Sequence, residues 1–219
     1  AEFESEEPEI PQVPDEPEPG KVRVRKVPAG EEDLTDLCPE NYSLAGAKYG
    51  LYETKDAAIN DITTKKIATL TTKKTGYSGW VSVEPSIYWA KETKASPGYM
   101  LDPTVYRIEV EENGKNTFTS KEEPVIDPLN ILLEKTDGSG KGPSLAGARF
   151  RVDYYAEITN DVDDLDTVRS WTFETKKNNK GRFVIEYDDD YKVKGPALFK
   201  DDNGDAVGLI GTYVFTETR

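Results

Sequence analysis

Histidine is absent from this sequence of 219 residues, and cysteine and methionine each occur once. Without histidine the chain lacks the usual general base near neutral pH, which excludes Ser-His-Asp and Cys-His triads and histidine-ligated zinc. The single thiol, Cys38, forms no internal disulfide, so a secreted chain of this kind has to gain rigidity in another way. We interpret Cys38 as an incidental loop thiol, with intermolecular cross-linking as the alternative.

Positive charge and long apolar runs are also scarce. Lys and Arg number 28 against 42 Asp and Glu, which gives a formal net charge of −14. A nucleic acid or an anionic membrane requires a basic face, so we expect neither as a partner. No apolar run reaches membrane-spanning length, and neither a signal peptide nor a sorting signal is recognisable. The last residues have the pattern of a strand cut short, so we expect a fragment of a longer protein.

The order of the remaining residue types predicts a linker followed by strands. Residues 1–20 consist largely of Glu, Asp and Pro, which predicts a disordered, extended spacer. From residue 21 onward, Val22, Val24 and Lys26 alternate with charged residues, which predicts a half-buried strand. Short strands with frequent turns indicate an all-β sandwich or barrel. Between Gly, Pro and Asn-Gly turn signals, we predict further strands at 47–53, 66–72, 80–83, 87–91, 106–111 and 116–120.

The second half of the sequence repeats the first, and this repeat predicts the domain organisation. The segment SLAGA occurs at 43–47 and again at 144–148. We therefore predict two tandem β-sandwich domains, 21–126 and 127–219, after the linker 1–20, with the second domain incomplete at its C-terminus. Four further elements recur in the same order, the first copy before the second: 22–27 and 129–135, 48–52 and 149–155, 79–83 and 181–185, 88–93 and 213–218.

A longer motif in the first copy resembles a known family. Residues 88–99 read YWAKETKASPGY, and the second copy of this motif stops at Glu217-Thr218-Arg219. Together with the lysine-bearing first strand and the Leu-Ala-Gly-Ala segment, this order resembles the Cna-B/SpaA domains of Gram-positive pilins and adhesins. The resemblance implies a prealbumin-like, immunoglobulin-like β-sandwich that serves as one bead of a rigid stalk.

The resemblance also implies an internal isopeptide bond, which joins a lysine on the first strand to an Asn or Asp on the last. A buried Glu promotes this reaction. By position, the lysine and the glutamate are Lys26 and Glu92 in the first domain, and Lys135 and Glu217 in the second. An amine attacks only when deprotonated, and burial disfavours the ammonium form. A protonated carboxyl can polarise the acceptor carbonyl, and fixed contact supplies a large effective concentration.

The acceptor is the point at which the sequence departs from the family pattern. An Asn or Asp is expected two residues before a proline, but the position before Pro124 holds Glu122. The glutamate side chain is one methylene longer, and we expect it not to fit the same geometry. Asp127 is the nearest substitute, as a weak candidate. The acceptor of the second domain lies outside the chain, which predicts that Lys135 is unreacted here.

The alternation of residues along the first strand favours a buried Lys26. Lys26 shares its face with Val22 and Val24, and a lysine on an apolar face usually has a partner. The alternative is an exposed lysine that simply pairs with a glutamate across the strands.

Other candidate sites receive weaker interpretations. The acidic clusters from Asp161 to Asp166 and from Asp201 to Asp205 lack the EF-hand pattern, so we interpret them as solvated turns, with calcium binding as the alternative. Trp80, Trp89 and Trp171 could form a sugar-binding platform, although packing against the sandwich is the preferred interpretation. We expect no metal and no cofactor.

These observations favour a non-enzymatic stalk segment of a Gram-positive cell-surface protein or pilin-like adhesin, located outside the cell in the cell wall. Its partners would be other domains of the same protein. The alternative is an adhesin module that recognises a host matrix protein or glycan. A carboxylate-based glycosidase is a third hypothesis, but it needs two carboxylates in a cleft.

Overall fold

The fold is all-β, as the sequence predicts. The computed structural model describes residues 16–30, 33–127, 132–136, 145–178, 180, 182–201 and 203–219. We call residues 16–127 the first half and residues 132–219 the second half. The strands are β1 (Gly20–Pro28), β2 (Lys48–Tyr52), β3 (Lys66–Thr71), β4 (Val81–Val83), β5 (Ser86–Lys94), β6 (Val105–Val110), β7 (Lys115–Glu122), β8 (Leu132–Lys135), β9 (Arg149–Tyr155), β10 (Arg169–Glu174), β11 (Lys176–Lys177), β12 (Phe183–Glu186), β13 (Lys192–Lys194) and β14 (Thr212–Glu217).

In the part of the chain that the structure describes, helical structure is limited to short turns between strands. These are α1 (Leu34–Leu37), α2 (Lys55–Ile59) and a 3-10 turn (Thr63–Lys65). Among the described residues, no helix has the length and apolar character needed to cross a membrane. Most of the predicted linker, 1–15, lies outside the described residues, and residues 16–19 are exposed without regular structure.

Two sheets face each other in the first half. One has the strand order β4-β1-β7, and the other has the order β3-β2-β5-β6. The long β1 pairs antiparallel with β4 and parallel with β7, so it lies in the middle of its sheet. Alternate residues of β1 and β2 fill the space between the sheets, together with Leu70, Ala90, Ile108 and Phe118.

The described residues of the second half repeat part of this pairing. Strand β9 lies between β10 and β14 as β2 lies between β3 and β5, and β8 pairs with β12 as β1 pairs with β4. The registers also agree, because Glu92 lies opposite Tyr49 and Glu217 lies opposite Phe150. The sequence repeat is therefore a repeat of strand pairing.

A buried threonine closes the SLAGA turn in each half. Thr72 Oγ1 accepts the amide of Ala47 and donates to the carbonyl of Leu44. In the second half, Thr175 Oγ1 accepts the amide of Ala148 and donates to the carbonyl of Leu145. The glycine of each turn has positive φ, +89° at Gly46 and +79° at Gly147, a conformation that other residues adopt at a cost.

Replacing Thr72 with valine is expected to destabilise the protein by about 1–3 kcal/mol, because a buried amide and a buried carbonyl lose their partner while the volume is kept. Thr71→Val is the matched control, since Thr71 is the exposed residue just before Thr72, at the end of β3, and its replacement should change stability by less than about 0.5 kcal/mol. Denaturant unfolding measures both variants. Equal stability of the two variants would contradict a structural role for the buried hydroxyl.

Candidate functional site

The candidate site is built on the inward face of β1. Val22, Val24 and Lys26 alternate with more exposed residues along this strand, and all three are almost completely buried. At Lys26, β7 pairs with β1 on one side, and the segment at Gly76 and Tyr77 lies against its other side. The Lys26 amide donates to the carbonyl of Gly76 (2.8 Å), which fixes the backbone at this position.

The Lys26 amine contacts two buried carboxylates. Its Nζ lies 3.0 Å from Glu92 Oε1, on β5 in the opposite sheet, and 2.6 Å from Glu122 Oε2, at the end of β7. All three side chains are 0% exposed. We call Lys26, Glu92 and Glu122 the clasp. It connects β1 and β7, the first and last strands of the first half in chain order, with β5 in the opposite sheet.

Hydroxyl groups hold the remaining oxygen of Glu122. Tyr49 Oη donates to Glu122 Oε1 at 2.7 Å, and Ser120 Oγ lies 2.9 Å from the same oxygen. By contrast, Glu122 Oε2 has no hydrogen-bond donor among the described residues. Its 2.6 Å contact with Lys26 Nζ is therefore an ion-pair contact whose angles depart from those of a hydrogen bond.

Glu92 is held from its other side by backbone. The amide of Asp102 donates to Glu92 Oε2 at 2.7 Å. The carboxylate of Asp102 in turn accepts Tyr106 Oη and Ser120 Oγ, the latter at 2.8 Å. Asp102 is partly exposed, so this chain of polar groups leads from the clasp to the surface.

The expectation that Glu122 cannot fit is wrong. Parallel pairing places Ser120 opposite Lys26 and Glu122 opposite Pro28, so the glutamate begins two residues beyond the lysine. Its longer side chain returns over that distance and reaches the amine. Asp127 is exposed and exchanges backbone hydrogen bonds with Gly208, so the structure does not bring it to Lys26.

The clasp contains one amine and two carboxyl groups, so it carries a buried negative charge unless one carboxyl is protonated. Burial raises the pKa of Glu92 above its ordinary value of 4.5, against the opposing effects of the Asp102 amide and of Lys26. Burial likewise raises the pKa of Tyr49, which keeps its hydroxyl as a donor. A protonated Glu92 therefore leaves a balanced pair between Lys26 and Glu122.

The raised pKa of Glu92 predicts a pH dependence. Below pH 4.5 the carboxyl is protonated in both the folded and unfolded states, and its contribution to stability is fully present. As the pH rises toward the folded-state pKa, only the unfolded state loses the proton, so this contribution is lost. We expect Glu92→Gln to remove this decline from the curve of unfolding free energy against pH. Exposed Glu111→Gln should leave the decline in place, and a wild-type slope in Glu92→Gln would contradict the assignment.

The corresponding groups of the second half are more open. Lys135 Nζ contacts Glu217 Oε1, as Lys26 contacts Glu92, but the two side chains are 24% and 44% exposed. Phe150 occupies the position of Tyr49, so the hydroxyl that holds Glu122 has no counterpart there. Strand alternation predicts that Lys135 shares a face with residues 129, 131 and 133. Residues 129 and 131 lie outside the described residues, and Leu133 is partly buried.

A second feature joins the two halves. Asn41 Nδ2 donates to the carbonyl of Ile210 (2.8 Å) and to that of Ala156. Tyr42 Oη donates to the carbonyl of Val125 (2.9 Å) and accepts the amide of Ile210 (3.2 Å). We call these contacts, together with the residues from Leu34 to Tyr42 that pack on the second half, the joint.

Cys38 lies inside the joint, which corrects both interpretations of it. The residue is completely buried, and its Sγ lies 3.4 Å from Tyr154 Oη. It packs in one cluster with Leu34, Tyr42 and core residues of the second half. A thiol in this position is a packing residue and is closed to intermolecular cross-linking.

The acidic clusters and the tryptophans lie elsewhere. Asp201 Oδ1 accepts the amides of Asn203 and Asp205, and Asp161 Oδ1 accepts the amide of Asp163, so these carboxylates cap turns. No group of three or more candidate metal ligands occurs among the described residues. Trp171 is a core residue, whereas Trp80 is 38% exposed under the guanidinium of Arg23, so the tryptophans do not form one platform.

Sequence reasoning placed Glu122 at the acceptor position but rejected it, and it missed Tyr49 and Ser120 as members of the site. The available signal was parity: Ser120 and Glu122 share the face of Phe118, an apolar residue on the same predicted strand. Two polar residues that follow an aromatic residue on a buried face require a buried partner.

Comparisons with known proteins identify similar sequences and structures. The family profile of the SpaA prealbumin-like fold domain matches residues 39–124, which include Glu92 and Glu122, so the resemblance seen in the sequence is confirmed. No curated protein matches the chain.

Solved structures that resemble the chain include the following three. The Bacillus anthracis TIE protein is 18% identical with a TM-score of 0.47, over 92% of this chain and 31% of its own, so this chain spans less than a third of it. A C-terminal fragment of the pilus adhesin SpaC from Lactobacillus rhamnosus GG is 14% identical with a TM-score of 0.46, over 92% and 76%. The Streptococcus agalactiae minor pilin GBS52 is 19% identical with a TM-score of 0.36, over 58% and 49%.

Proposed function

From the match of residues 39–124 to the SpaA prealbumin-like domain, we propose that this chain is a structural segment of a Gram-positive surface protein or pilin-like adhesin. It acts outside the cell as part of a stalk and catalyses no turnover. The two halves are its tandem domains, residues 21–126 and 127–219, and residues 1–20 are the spacer that precedes them. Its partners are the other domains of the same protein.

The observation that carries this proposal is the clasp. Three charged side chains are completely buried where β1, β5 and β7 meet, and burying them costs free energy that a simple apolar core would avoid. This cost is explained if the connection that the clasp makes between β1, β5 and β7 serves the function of the protein. A tie between the first and last strands resists the extension of a chain that is pulled from its ends.

The joint supports the same role. Asn41 and Tyr42 place donors and acceptors against backbone groups of the second half, and their aromatic and aliphatic neighbours continue its core. A stalk transmits force only if adjacent domains keep a fixed orientation. In this proposal Lys26 and Glu92 are the lysine and the promoting glutamate of an isopeptide bond, and Lys135 and Glu217 are their counterparts.

The proposal is tested by the motion of the two halves in solution. NMR relaxation of the amides should give both halves of the wild-type protein one common rotational correlation time. Asn41→Ala should lower the free energy of unfolding by about 1–3 kcal/mol, because two carbonyls lose their donor, and should give the halves separate correlation times. Glu40→Ala is the control, since Glu40 is exposed beside the joint. Independent tumbling of the halves in the wild-type protein would contradict a rigid stalk.

A further inference from the structure

We propose that Glu122 is the acceptor of a covalent bond in the first half, so that Lys26 and Glu122 become joined by an amide with loss of water. The proposal rests on the structural role proposed above and names its acceptor. It departs from the Lys–Asn or Lys–Asp pairing that the family resemblance implies. The three buried groups of the clasp and the hydroxyls around them carry the argument.

The first argument is the geometry of the two reacting groups. Lys26 Nζ lies 2.6 Å from Glu122 Oε2, and both side chains are completely buried. The contact lacks hydrogen-bond angles, so the amine is not simply a donor to this oxygen. Two groups held at such a distance in a fixed orientation have a large effective concentration, which replaces the activation that amide formation needs in solution.

The second argument is the asymmetry of the Glu122 carboxyl. Oε1 accepts the Tyr49 hydroxyl at 2.7 Å, so this hydroxyl lies where negative charge develops when the carbonyl carbon is attacked. Oε2 faces the amine at 2.6 Å, and no second group among the described residues holds it, so it is the oxygen that can leave. One oxygen is stabilised and the other is free to depart.

The third argument is the position of Glu92, 3.0 Å from Lys26 Nζ. Burial raises its pKa, so the protonated carboxyl can deliver its proton to the departing oxygen and take one from the Lys26 nitrogen in return. The Asp102 amide holds the carboxyl in place at 2.7 Å. Glu92 therefore has the same protonation state after the reaction as before it.

The step balances without a further reactant. The ammonium of Lys26 carries three protons, of which one stays on the amide nitrogen and two leave with Glu122 Oε2 as water. The bond from Nζ to the Glu122 carboxyl carbon forms, and the bond from that carbon to Oε2 breaks. The positive and negative charges cancel in the neutral amide. In water ionised groups are favoured, but in this core the reaction removes two buried charges, and the water can leave to solvent.

The second half provides an internal comparison. Lys135 and Glu217 are partly exposed, and Phe150 supplies no hydroxyl at the position of Tyr49. The described residues of the second half also place no carboxyl at Lys135 in the position that Glu122 takes at Lys26. One cross-link per chain is therefore expected.

Intact mass spectrometry of the denatured chain tests the proposal. The wild-type mass should lie below the sequence mass by one water molecule, and a peptide map should contain the Lys26 peptide joined to the Glu122 peptide. Glu122→Gln should lose one ammonia molecule instead, because the leaving group changes with the acceptor. Lys26→Arg should keep its sequence mass. Exposed Glu123→Gln should still lose one water.

Two outcomes would overturn the proposal: a folded wild-type protein with its full sequence mass, or a loss of water that persists in Glu122→Ala. Neither outcome depends on whether a variant folds. A full wild-type mass is measured without any variant, and a persistent loss of water in Glu122→Ala is itself a measured decrease in mass. An uncross-linked protein whose halves still tumble as one body would remove the covalent bond and leave the structural role in place. Independent tumbling of the two halves in a cross-linked protein would leave the covalent bond in place and remove the structural role.

Discussion

Lys26→Met is expected to lower the free energy of unfolding by about 3–5 kcal/mol, because it leaves the buried carboxyls of Glu92 and Glu122 without their cation. Any cross-link lost with the amine adds to this effect, since a bond that closes a long loop restricts the unfolded state. Methionine keeps the length of the side chain, so a cavity contributes little. Denaturant unfolding, followed by tryptophan fluorescence, measures the change.

Two variants separate charge from packing. Lys21→Met removes an exposed lysine from the same strand and should change stability by less than about 0.5 kcal/mol. The triple variant Lys26→Met, Glu92→Gln, Glu122→Leu should recover part of the loss, because apolar replacement of a buried ionic group is often neutral or stabilising. If Lys26→Met unfolds at the same denaturant concentration as Lys21→Met, the clasp contributes nothing to stability.

Gly98→Ala is expected to have the second large effect, because the Pro-Gly-Tyr turn packs against the joint. Gly98 has a φ of +79°, and an added Cβ would lie 2.3 Å from the carbonyl oxygen of Asn41 and 2.6 Å from Tyr42 Cδ1. The left-handed backbone alone costs an alanine roughly 1–2 kcal/mol, and the overlap with backbone adds to it. We expect a loss of at least about 3 kcal/mol, measured by thermal or denaturant unfolding.

Two other glycines form a graded control series. Gly46 has a φ of +89°, but an added Cβ would meet no described atom within 4 Å, so Gly46→Ala should cost only about 1–2 kcal/mol. Gly79 has neither a positive φ nor a close neighbour among the described residues, so Gly79→Ala should be nearly neutral. The expected order of stability is Gly79→Ala, then Gly46→Ala, then Gly98→Ala. Equal stability of Gly46→Ala and Gly98→Ala would contradict the expected steric overlap at Gly98.

The strands and the lysine face were predictable because they depend on local periodicity. Alternation of apolar and charged residues in β1 indicates which side chains point inward, and it places Lys26 with Val22 and Val24. The sequence repeat predicts the shared pairing of the two halves for the same reason. Each of these inferences uses residues that are close in the chain.

The acceptor and the joint were not predictable in this way. Glu122 reaches Lys26 because β1 and β7 pair in parallel with Ser120 opposite Lys26, and this register is set by contacts between residues far apart in sequence. The segment of α1 and Cys38 shows no strong period, and its burial depends on a surface of the second half. The pattern of one segment indicates which of its residues are buried, but not which distant residue they contact.

Single-molecule stretching of the wild-type chain from its two ends tests the tie between β1 and β7 most directly. If Lys26 and Glu122 are joined, the residues between them cannot be extended, and the fully stretched chain should be shorter than that of Lys26→Met by roughly 300 Å. A wild-type chain that extends as far as Lys26→Met would contradict the covalent tie on which the account depends.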